Sequence, residues 1–327
     1  MLSGGGLLMG TTGVAPRFIA RSPKSRPGND RRSLIDVSLS SEGVSRLGGP
    51  RARASASIAH HAAVERVIHA MRQRLDEPLS LPEMAKIALF SPFHFDRIFH
   101  RITGSSPLKF LSALRMEAAI RLLLTSQLSV TDICFEVGYN SLGTFSTLFS
   151  QAIGISPVTL RRQRAHLEVS TMPYVESLRH HQAVPSSHAP YHPGVSGWLT
   201  VPPSFSGLVF IGLFPEPMPN GRPRACDLAT TSGEFHTAPV ADGTYYVLAV
   251  GCPWPRNFAM LLMPDPSTLL VAAADGPVVV ERGQAHGSTD LVLRPRRHAD
   301  PPLLTVLPIL LADFRSHEFG RKISRVG

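Results

Sequence analysis

The sequence FHFDRIFHRITGSSP at residues 93–107 returns fifty positions later as GTFSTLFSQAIGISP at residues 143–157. Both stretches place two phenylalanines four residues apart, then a glycine, a serine and a proline at matching positions. The identical pairs are Phe95 and Phe145, Phe99 and Phe149, Gly104 and Gly154, Ser106 and Ser156, and Pro107 and Pro157. A repeat in constant register indicates one supersecondary unit used twice.

The first unit has the pattern of a short helix, a tight turn and a second helix. Ser80 and Glu83 have the spacing of a capping box that begins a helix. Pro92 suits the first position of the next helix, where a missing N–H costs nothing. Apolar residues then recur at helical spacing until Gly104, which is typical of a helix end. This arrangement predicts a helix-turn-helix.

The second unit follows a long helix, which we predict from Pro107 to Thr125. Ser129 begins the next short helix, Gly138 lies in the turn, and Ser141 caps a helix that ends near Gly154. A last short helix is predicted from Pro157 through Arg164. An amphipathic helix before the first unit, with its inner face at Val64, Val67, Ile68, Met71 and Leu75, completes an all-α domain over residues 58–166.

The formal charge of +9 is concentrated in the N-terminal half of the chain. Lys and Arg outnumber Asp and Glu by nine to three in residues 1–57 and by twelve to eight in residues 58–166, but number twelve against thirteen in residues 167–327. Basic charge suits a polyanion, because neutralised phosphates release condensed counterions. Residues 1–57, rich in Gly, Ser, Arg and Pro, are predicted to be a disordered basic arm.

The outer face of the first predicted recognition helix carries the candidate contacts to double-stranded DNA. Arg97 can meet guanine O6 and N7 together, so we predict it as the main base reader. Phe93 can contact a thymine methyl, and Ser91 and Arg101 are assigned to the backbone. Asp96 either accepts a bond from cytosine N4 or holds Arg97 in place, and we favour the second interpretation.

The second predicted recognition helix has no Arg or Lys between Ser141 and Ile153. Its outer face offers base contacts from Leu142, Gly143 and Thr147 and backbone contacts from Ser141 and Ser146. Hydroxyls, one apolar side chain and backbone N–H groups give only weak readout. The two recognition helices are expected to enter successive major-groove segments about 34 Å apart.

These features resemble the AraC/XylS family of transcription regulators over about residues 63–163. The resemblance rests on the two units, the linking helix with Arg115, the Gly138-Tyr139 turn and the closing Gly154-x-Ser156-Pro157. It implies base contact from Phe93, Asp96 and Arg97 in the first helix and from Leu142, Gly143 and Thr147 in the second. Family members often carry Arg where this chain has Thr147, and most place the sensor before the DNA-binding domain, so both features depart from the pattern.

In the C-terminal third of the chain, the spacing of the apolar residues changes. After residues 167–195, whose His, Ser and Pro content predicts a linker, short β-branched runs alternate with Pro and Gly turns. Over residues 196–312 this pattern predicts an antiparallel β-sandwich, with residues 313–327 as a tail. The run Leu303–Leu311 is ambiguous between strand and helix. The sequence from Gly233 through Asp242-Gly243-Thr244-Tyr245 resembles the regulatory sandwich module of carboxypeptidases, which implies a fold but no ligand.

Several other classes of function find little support. Three scattered cysteines indicate a reducing compartment and no disulfide framework, and no apolar run reaches the ~18–20 residues that span a bilayer. His188 and His192 have the spacing of a metal pair, but Pro190 lies between them, so we predict linker composition and no metal. No nucleophile elbow, phosphate loop or credible carboxylate pair is present, so an enzyme and a cofactor are not expected.

The sequence therefore predicts a multi-domain α and β protein, with an all-α double helix-turn-helix domain followed by a β-sandwich. Its expected function is sequence-specific transcription regulation in the bacterial cytoplasm, with double-stranded DNA and the transcription machinery as partners. The sandwich is expected to sense a small-molecule effector or to contact a protein partner. The alternative is a DNA-associated scaffold of low specificity whose sandwich recruits a protein; low enrichment in DNA selection would favour it.

Overall fold

The computed structural model describes residues 50–181, 194–312 and 314. Within these ranges seven helices precede the strands: α1 (Pro50–Gln73), α2 (Leu81–Ala88), α3 (Pro92–Thr103), α4 (Pro107–Thr125), α5 (Val130–Glu136), α6 (Leu142–Ile153) and α7 (Pro157–His181). No helix in these ranges is both long and apolar enough to cross a membrane. The predicted long helix from residue 107 to residue 125 is confirmed at both ends.

The first repeat forms the predicted helix-turn-helix from α2 and α3. Glu83 accepts hydrogen bonds from the Ser80 amide at 2.7 Å and the Ser80 hydroxyl at 2.6 Å, which fixes the start of α2. Leu89 ends this helix at φ 62°, a left-handed conformation unusual for leucine. Pro92 begins α3, and Gly104 ends it at φ 72°.

The second repeat forms the same unit from α5 and α6. The Ser129 amide donates to Asp132 at 3.1 Å, and the Asp132 amide donates back to the Ser129 hydroxyl at 3.0 Å. Ser141 caps α6 by accepting from the Thr144 amide at 3.4 Å, and Gly154 ends it in the left-handed region. Local capping chemistry therefore sets the same boundaries in both units.

Helix α1 begins earlier than the sequence predicts. It starts at Pro50, so the predicted disordered arm over residues 1–57 is wrong for residues 50–57; residues 1–49 lie outside the described residues. Alanines recur through residues 52–63, and alanine has the highest helix propensity. That local preference extends the helix beyond the apolar face from which it was predicted.

Helix α7 is longer than predicted. It continues past Arg164 and through Pro173 to His181, so the predicted linker of residues 167–195 is wrong over residues 167–181. The physical reason is burial: Leu167, Thr171 and Val175 lie on one helical face and are almost fully buried. Tertiary packing thereby overrides a polar, histidine-rich composition. Residues 182–193 and most of the predicted tail, residues 313–327, lie outside the described residues.

The C-terminal region is rich in antiparallel strands. They are β1 (Ser196–Thr200), β2 (Gly207–Phe214), β3 (Ala225–Ala229), β4 (Gly233–His236), β5 (Gly243–Pro253), β6 (Leu270–Ala273), β7 (Val278–Glu281), β8 (Gln284–His286), β9 (Leu291–Val292) and β10 (Arg294–Pro295), with the short helix α8 (Phe258–Leu262) after β5. One sheet has the order β4-β1-β9 and the other β10-β6-β5-β2-β3, with β7 also on β5 and β8 on β7. The β1–β9 pair is parallel, which the predicted antiparallel arrangement did not include.

The larger sheet is covered on both faces. Alternate residues of its central strands, such as Val209, Ile211 and Val247, share a hydrophobic cluster with Leu199 of β1. Residues of the opposite face pack against the second half of α7 and against residues 307–311. Residues 307–312 are helical, which resolves that part of the ambiguous run at 303–311.

The C-terminal region also packs on the helices of the repeat. Met218, Leu304 and Val306 join a hydrophobic cluster that contains Phe145 and Phe149 of α6. Polar contacts accompany this packing: Lys109 pairs with Glu216 at 3.4 Å, Arg296 pairs with Glu117 at 3.6 Å, and the Gly221 amide donates to the Ala152 carbonyl at 2.6 Å. The core beneath the second recognition helix is therefore completed by residues from the C-terminal region.

Candidate DNA interface

The inner faces of the two recognition helices, α3 and α6, are locked by aromatic packing. Phe95, Phe99, Phe145 and Phe149 are fully buried, as predicted from their helical spacing. The Phe95 and Phe99 rings lie 5.5 Å apart, and the Phe145 and Phe149 rings 5.7 Å apart, in tilted or edge-on geometry. Because these side chains fix the rotation of each helix, the residues on the opposite face are presented outward.

The outer face of α3 presents most of the predicted contacts to solvent. Ser91, Phe93, Arg97 and Arg101 are exposed, and Phe93 is 80% exposed although it is a large apolar residue. Asp96 is half-buried. An exposed phenylalanine beside two exposed arginines is the combination expected at a surface that meets base methyl groups and phosphates.

One interpretation from the sequence is not supported by this geometry. Neither Asp96 nor Arg97 makes an ion pair within the described ranges, so Asp96 does not hold the Arg97 side chain. Adjacent residues on a helix point about 100° apart and do not face each other. The Arg97 side chain is exposed and is positioned by the helix alone.

The outer face of α6 is exposed but carries no cation. Ser141, Leu142, Gly143 and Thr147 are exposed, with Leu142 41% exposed, whereas Ser146 is half-buried. The Ser141 side-chain oxygen already accepts the Thr144 amide, which leaves its O–H free to donate. This face can supply hydroxyl donors, one apolar side chain and the N-terminal amides of α6.

A joint between the two units was missed by reasoning from the sequence. Arg115 of α4 donates from Nε to the Leu75 carbonyl at 2.8 Å and from Nη2 to the Glu77 carbonyl at 2.9 Å. Its guanidinium also lies 5.6 Å from the centre of the Tyr139 ring. In the sequence, Arg115 is singled out only by the family resemblance, because no pattern of neighbouring residues identifies these distant partners.

The turn of the second unit fits tightly against this joint. Gly138 has φ 85°, and a Cβ there would lie 2.2 Å from the Leu75 carbonyl oxygen and 2.8 Å from the Arg115 guanidinium. The Tyr139 hydroxyl lies 2.9 Å from the Ser112 hydroxyl. Burial raises the pKa of Tyr139, and burial lowers the pKa of Arg115, with Tyr139 acting against that change. The joint therefore holds the second turn in place relative to α1 and α4.

A second cluster missed from the sequence lies beside the first recognition helix. The His94 ring of α3 is 5.0 Å from the Phe90 ring and 5.9 Å from the His60 ring of α1. Burial, followed by the nearby His94 and Arg101, lowers the pKa of His60. The His60 ring therefore lies close to both His94 and Arg101 at one edge of α3.

The histidines considered for a metal site do not form one within the described residues. Residues 50–181 and 194–312 contain no cluster of three His, Cys, Asp or Glu side chains suited to a metal ion. His180 pairs with Glu176 at 3.1 Å, one turn away on α7. His188 and His192 lie outside the described residues.

Comparisons with known proteins give matches to the part of the chain that contains the repeat. Residues 84–163 match the helix-turn-helix domain family. The HTH-type transcriptional regulator GlxA of Rhizobium meliloti is 34% identical over 104 residues, which cover 32% of each chain. The MmsAB operon regulatory protein of Pseudomonas aeruginosa is 37% identical over 97 residues, which cover 29% of this chain and 32% of the relative.

The match is confined to about a third of this chain. The matched segment also spans only about a third of the length of the curated relatives. The solved structure of a transcriptional regulator from Chromobacterium violaceum, one of the AraC-type DNA-binding domain-containing proteins, is 27% identical in sequence to this chain. It aligns over 33% of this chain and 96% of its own, with a TM-score of 0.32. Residues 84–163 are a helix-turn-helix domain similar to the DNA-binding domains of bacterial transcription regulators.

Proposed function

We propose that the chain is a sequence-specific DNA-binding transcription regulator of the AraC/XylS type. The observation that carries this proposal is the pair of recognition helices, each locked by two buried phenylalanines and each presenting an exposed outer face. A helix fixed in this way fits the ~12 Å major groove and reads base edges from its outer side chains. The proposed partners are double-stranded DNA and the transcription machinery, without a cofactor or an enzymatic step, in the bacterial cytoplasm.

The two recognition helices take unequal roles in this proposal. In α3, Phe93, Asp96 and Arg97 contact bases, while Ser91 and Arg101 contact phosphates. Arg97 provides most of the discrimination, because its extended guanidinium has no partner in the described part of the chain that it would have to release.

In α6, Leu142, Gly143 and Thr147 contact bases, and Ser141 and Ser146 contact the backbone. The Ser146 side chain is half-buried, so its contact is the weakest of these assignments. This helix has no cation, and we propose that it contributes a weaker half-site. The strand-rich region, proposed to be a sandwich of the carboxypeptidase regulatory type, acts as the sensor or partner domain.

The test is in vitro selection of random duplex DNA by the full chain at physiological salt. The full chain is preferred to the fragment 58–166, because Met218, Leu304 and Val306 complete the core beneath α6. The expected product is a motif with a strong half-site and a weak one about a helical turn away. Absence of enrichment would reject sequence-specific regulation and favour the scaffold of low specificity, which the uncharged outer face of α6 supports.

Matched substitutions on α3 distinguish the recognition of bases from electrostatic binding to phosphates. Arg97→Ala should reduce discrimination at one base pair by ~1–3 kcal/mol. Arg101→Ala, one turn away, should weaken all sequences alike and lower the salt slope by about 1. Equal effects of both substitutions on every sequence would contradict the assigned role of Arg97.

A gain-of-contact substitution tests the second helix. Thr147→Arg places a guanidinium at an exposed position where the resembling family often has one. It should raise operator affinity and increase the salt slope by about 1, because one more phosphate or base acceptor is engaged. The matched control is Arg162→Ala on α7, which alters charge outside the recognition helices and should leave the preferred sequence unchanged.

A further inference from the structure

A cleft of about 130 Å³ lies on the face of the larger sheet that packs against the second half of α7 and residues 307–311. Its floor consists of two rows of residues that run across β2, β5 and β6. Phe210, Val250 and Val271 form one row, and Gly212, Leu248 and Ala273 form the next. The second row begins at Gly212, where the Phe214 and Pro223 side chains take the space of a Cβ, and ends at the exposed Ala273.

The walls of the cleft are rigid and largely hydrocarbon. Pro217, Pro219 and Pro223 of the β2–β3 connection form one wall. Residues 301–310, which contribute Leu303 and Leu310, form the other. Proline fixes its own backbone angle, so this wall is internally stiff, and a ligand that displaces it moves it as a unit with little ordering.

The charged groups at the mouth already have partners. Arg294 donates two hydrogen bonds to Asp300, at 2.8 and 2.7 Å. The Arg296 side chain is only 6% exposed, and it contacts the Pro301 carbonyl at 3.2 Å and Glu117 at 3.6 Å. An anionic ligand would have to break one of these pairs and leave a carboxylate without its cation, which is costly in a partly buried site. The lining therefore favours an uncharged occupant.

Both walls of the cleft contact the helices that carry the DNA interface. The proline wall is joined to α6 through the bond from Gly221 to the Ala152 carbonyl, and to α4 through the Glu216–Lys109 pair. In the other wall, Leu304 and Val306 belong to the hydrophobic cluster beneath α6. An occupant that moves either wall would thus move residues in contact with the second recognition helix.

We propose that this cleft binds a small, uncharged, apolar effector of about the size of toluene. An engineered protein cavity of ~150 Å³ with apolar walls binds benzene, so the volume fits a ligand of this size. This inference rests on the proposed function for its regulatory consequence. It assigns that regulation to one face of the larger sheet.

The test measures binding of toluene to the full chain by the shift in its thermal unfolding midpoint. At a ligand concentration 100 times Kd, the midpoint should rise by roughly 5–10 °C. Val271→Phe fills the cleft floor and should abolish the shift. Val292→Phe, the same change at an exposed residue of β9 outside the cleft, should retain it. Ala273→Leu, at an exposed position of the cleft, provides a second filling variant in case Val271→Phe fails to fold.

A second pair of measurements fixes the ligand class and the regulatory role. Benzoate, which keeps the aromatic ring of toluene but carries a negative charge, should bind at least tenfold more weakly. Toluene should change the affinity for the selected operator by about fivefold or more, the lower range of measured allosteric couplings.

Four results would overturn the proposal: no toluene binding, equal binding by the folded filling variants, benzoate binding as tight as that of toluene, or toluene binding without a change in operator affinity. If selection yields no operator, the proposed transcription function fails, while the binding measurements still decide whether the site exists.

Discussion

Replacing Arg115 with methionine should destabilise the protein, because Arg115 is the joint between the two helix-turn-helix units. Methionine has a similar length but cannot donate to the Leu75 and Glu77 carbonyls at 2.8 and 2.9 Å. Hydrogen bonds that involve a charged group contribute about 1.5–3 kcal/mol each. Water can replace the bond to Glu77, which lies at the surface, so we expect a total loss of ~2–4 kcal/mol in the free energy of unfolding.

The assay is thermal unfolding of the full chain, together with selection of its operator. For a unit of this size the loss corresponds to a fall of roughly 5–10 °C in the unfolding midpoint. Arg115→Lys keeps the charge but not the planar fork, and about half of the loss is expected. Arg121→Met is the matched control on the exposed side of α4. If Arg115→Met lowered the midpoint no more than this control does, the joint would have no part in stability.

Two further predictions concern ionisable groups in the strand-rich region and the buried thiols. Burial alone would raise the pKa of Asp300, but the bonds from Arg294 and a backbone amide outweigh it, so the pKa lies below its ordinary value. The contribution of Asp300 to the free energy of unfolding is fully present above the pKa of the unfolded chain, about 3.9. It is lost as the pH falls through the pKa of Asp300 in the folded protein. Asp300→Asn should therefore unfold more easily than the wild type at pH 7, with a difference that shrinks below about pH 4; a difference independent of pH would contradict this. Burial also raises the pKa of Cys252 to about 12, so a thiol reagent at pH 8 should label half-buried Cys226 first and reach Cys134 and Cys252 only after unfolding, whereas rapid labelling of three thiols in the native chain would refute it.

Local signals predicted the helical units well because their boundaries depend on neighbouring residues. The Ser80–Glu83 capping pair, Pro92 and Gly104 each act within one helical turn, so the sequence alone identifies them. The exposed positions of Phe93 and Arg97 follow from the same periodicity, because a buried stripe fixes the opposite face. The base contacts assigned to these residues remain predictions.

The features that the sequence did not reveal depend on contacts between distant residues. Arg115 meets carbonyls some forty residues away, and no local pattern identifies such partners. The parallel pairing of β1 with β9 was not predicted, because the partner of a strand is set by residues far apart in the chain. The helical continuation through residues 167–181 was missed because it is stabilised by packing on the cluster beneath α6 and on the larger sheet.

The length of α7 constrains how this protein can be altered or recombined. Leu160 and Leu167 belong to the cluster beneath α6, while Val175 and Leu178, further along the same helix, pack on the larger sheet. One inserted residue would turn everything after it by about 100° and advance it by about 1.5 Å. A chimera that joins this strand-rich region to another DNA-binding domain must therefore preserve helical phase across the splice, and a single-residue deletion in α7 would disturb both halves while removing no contact residue.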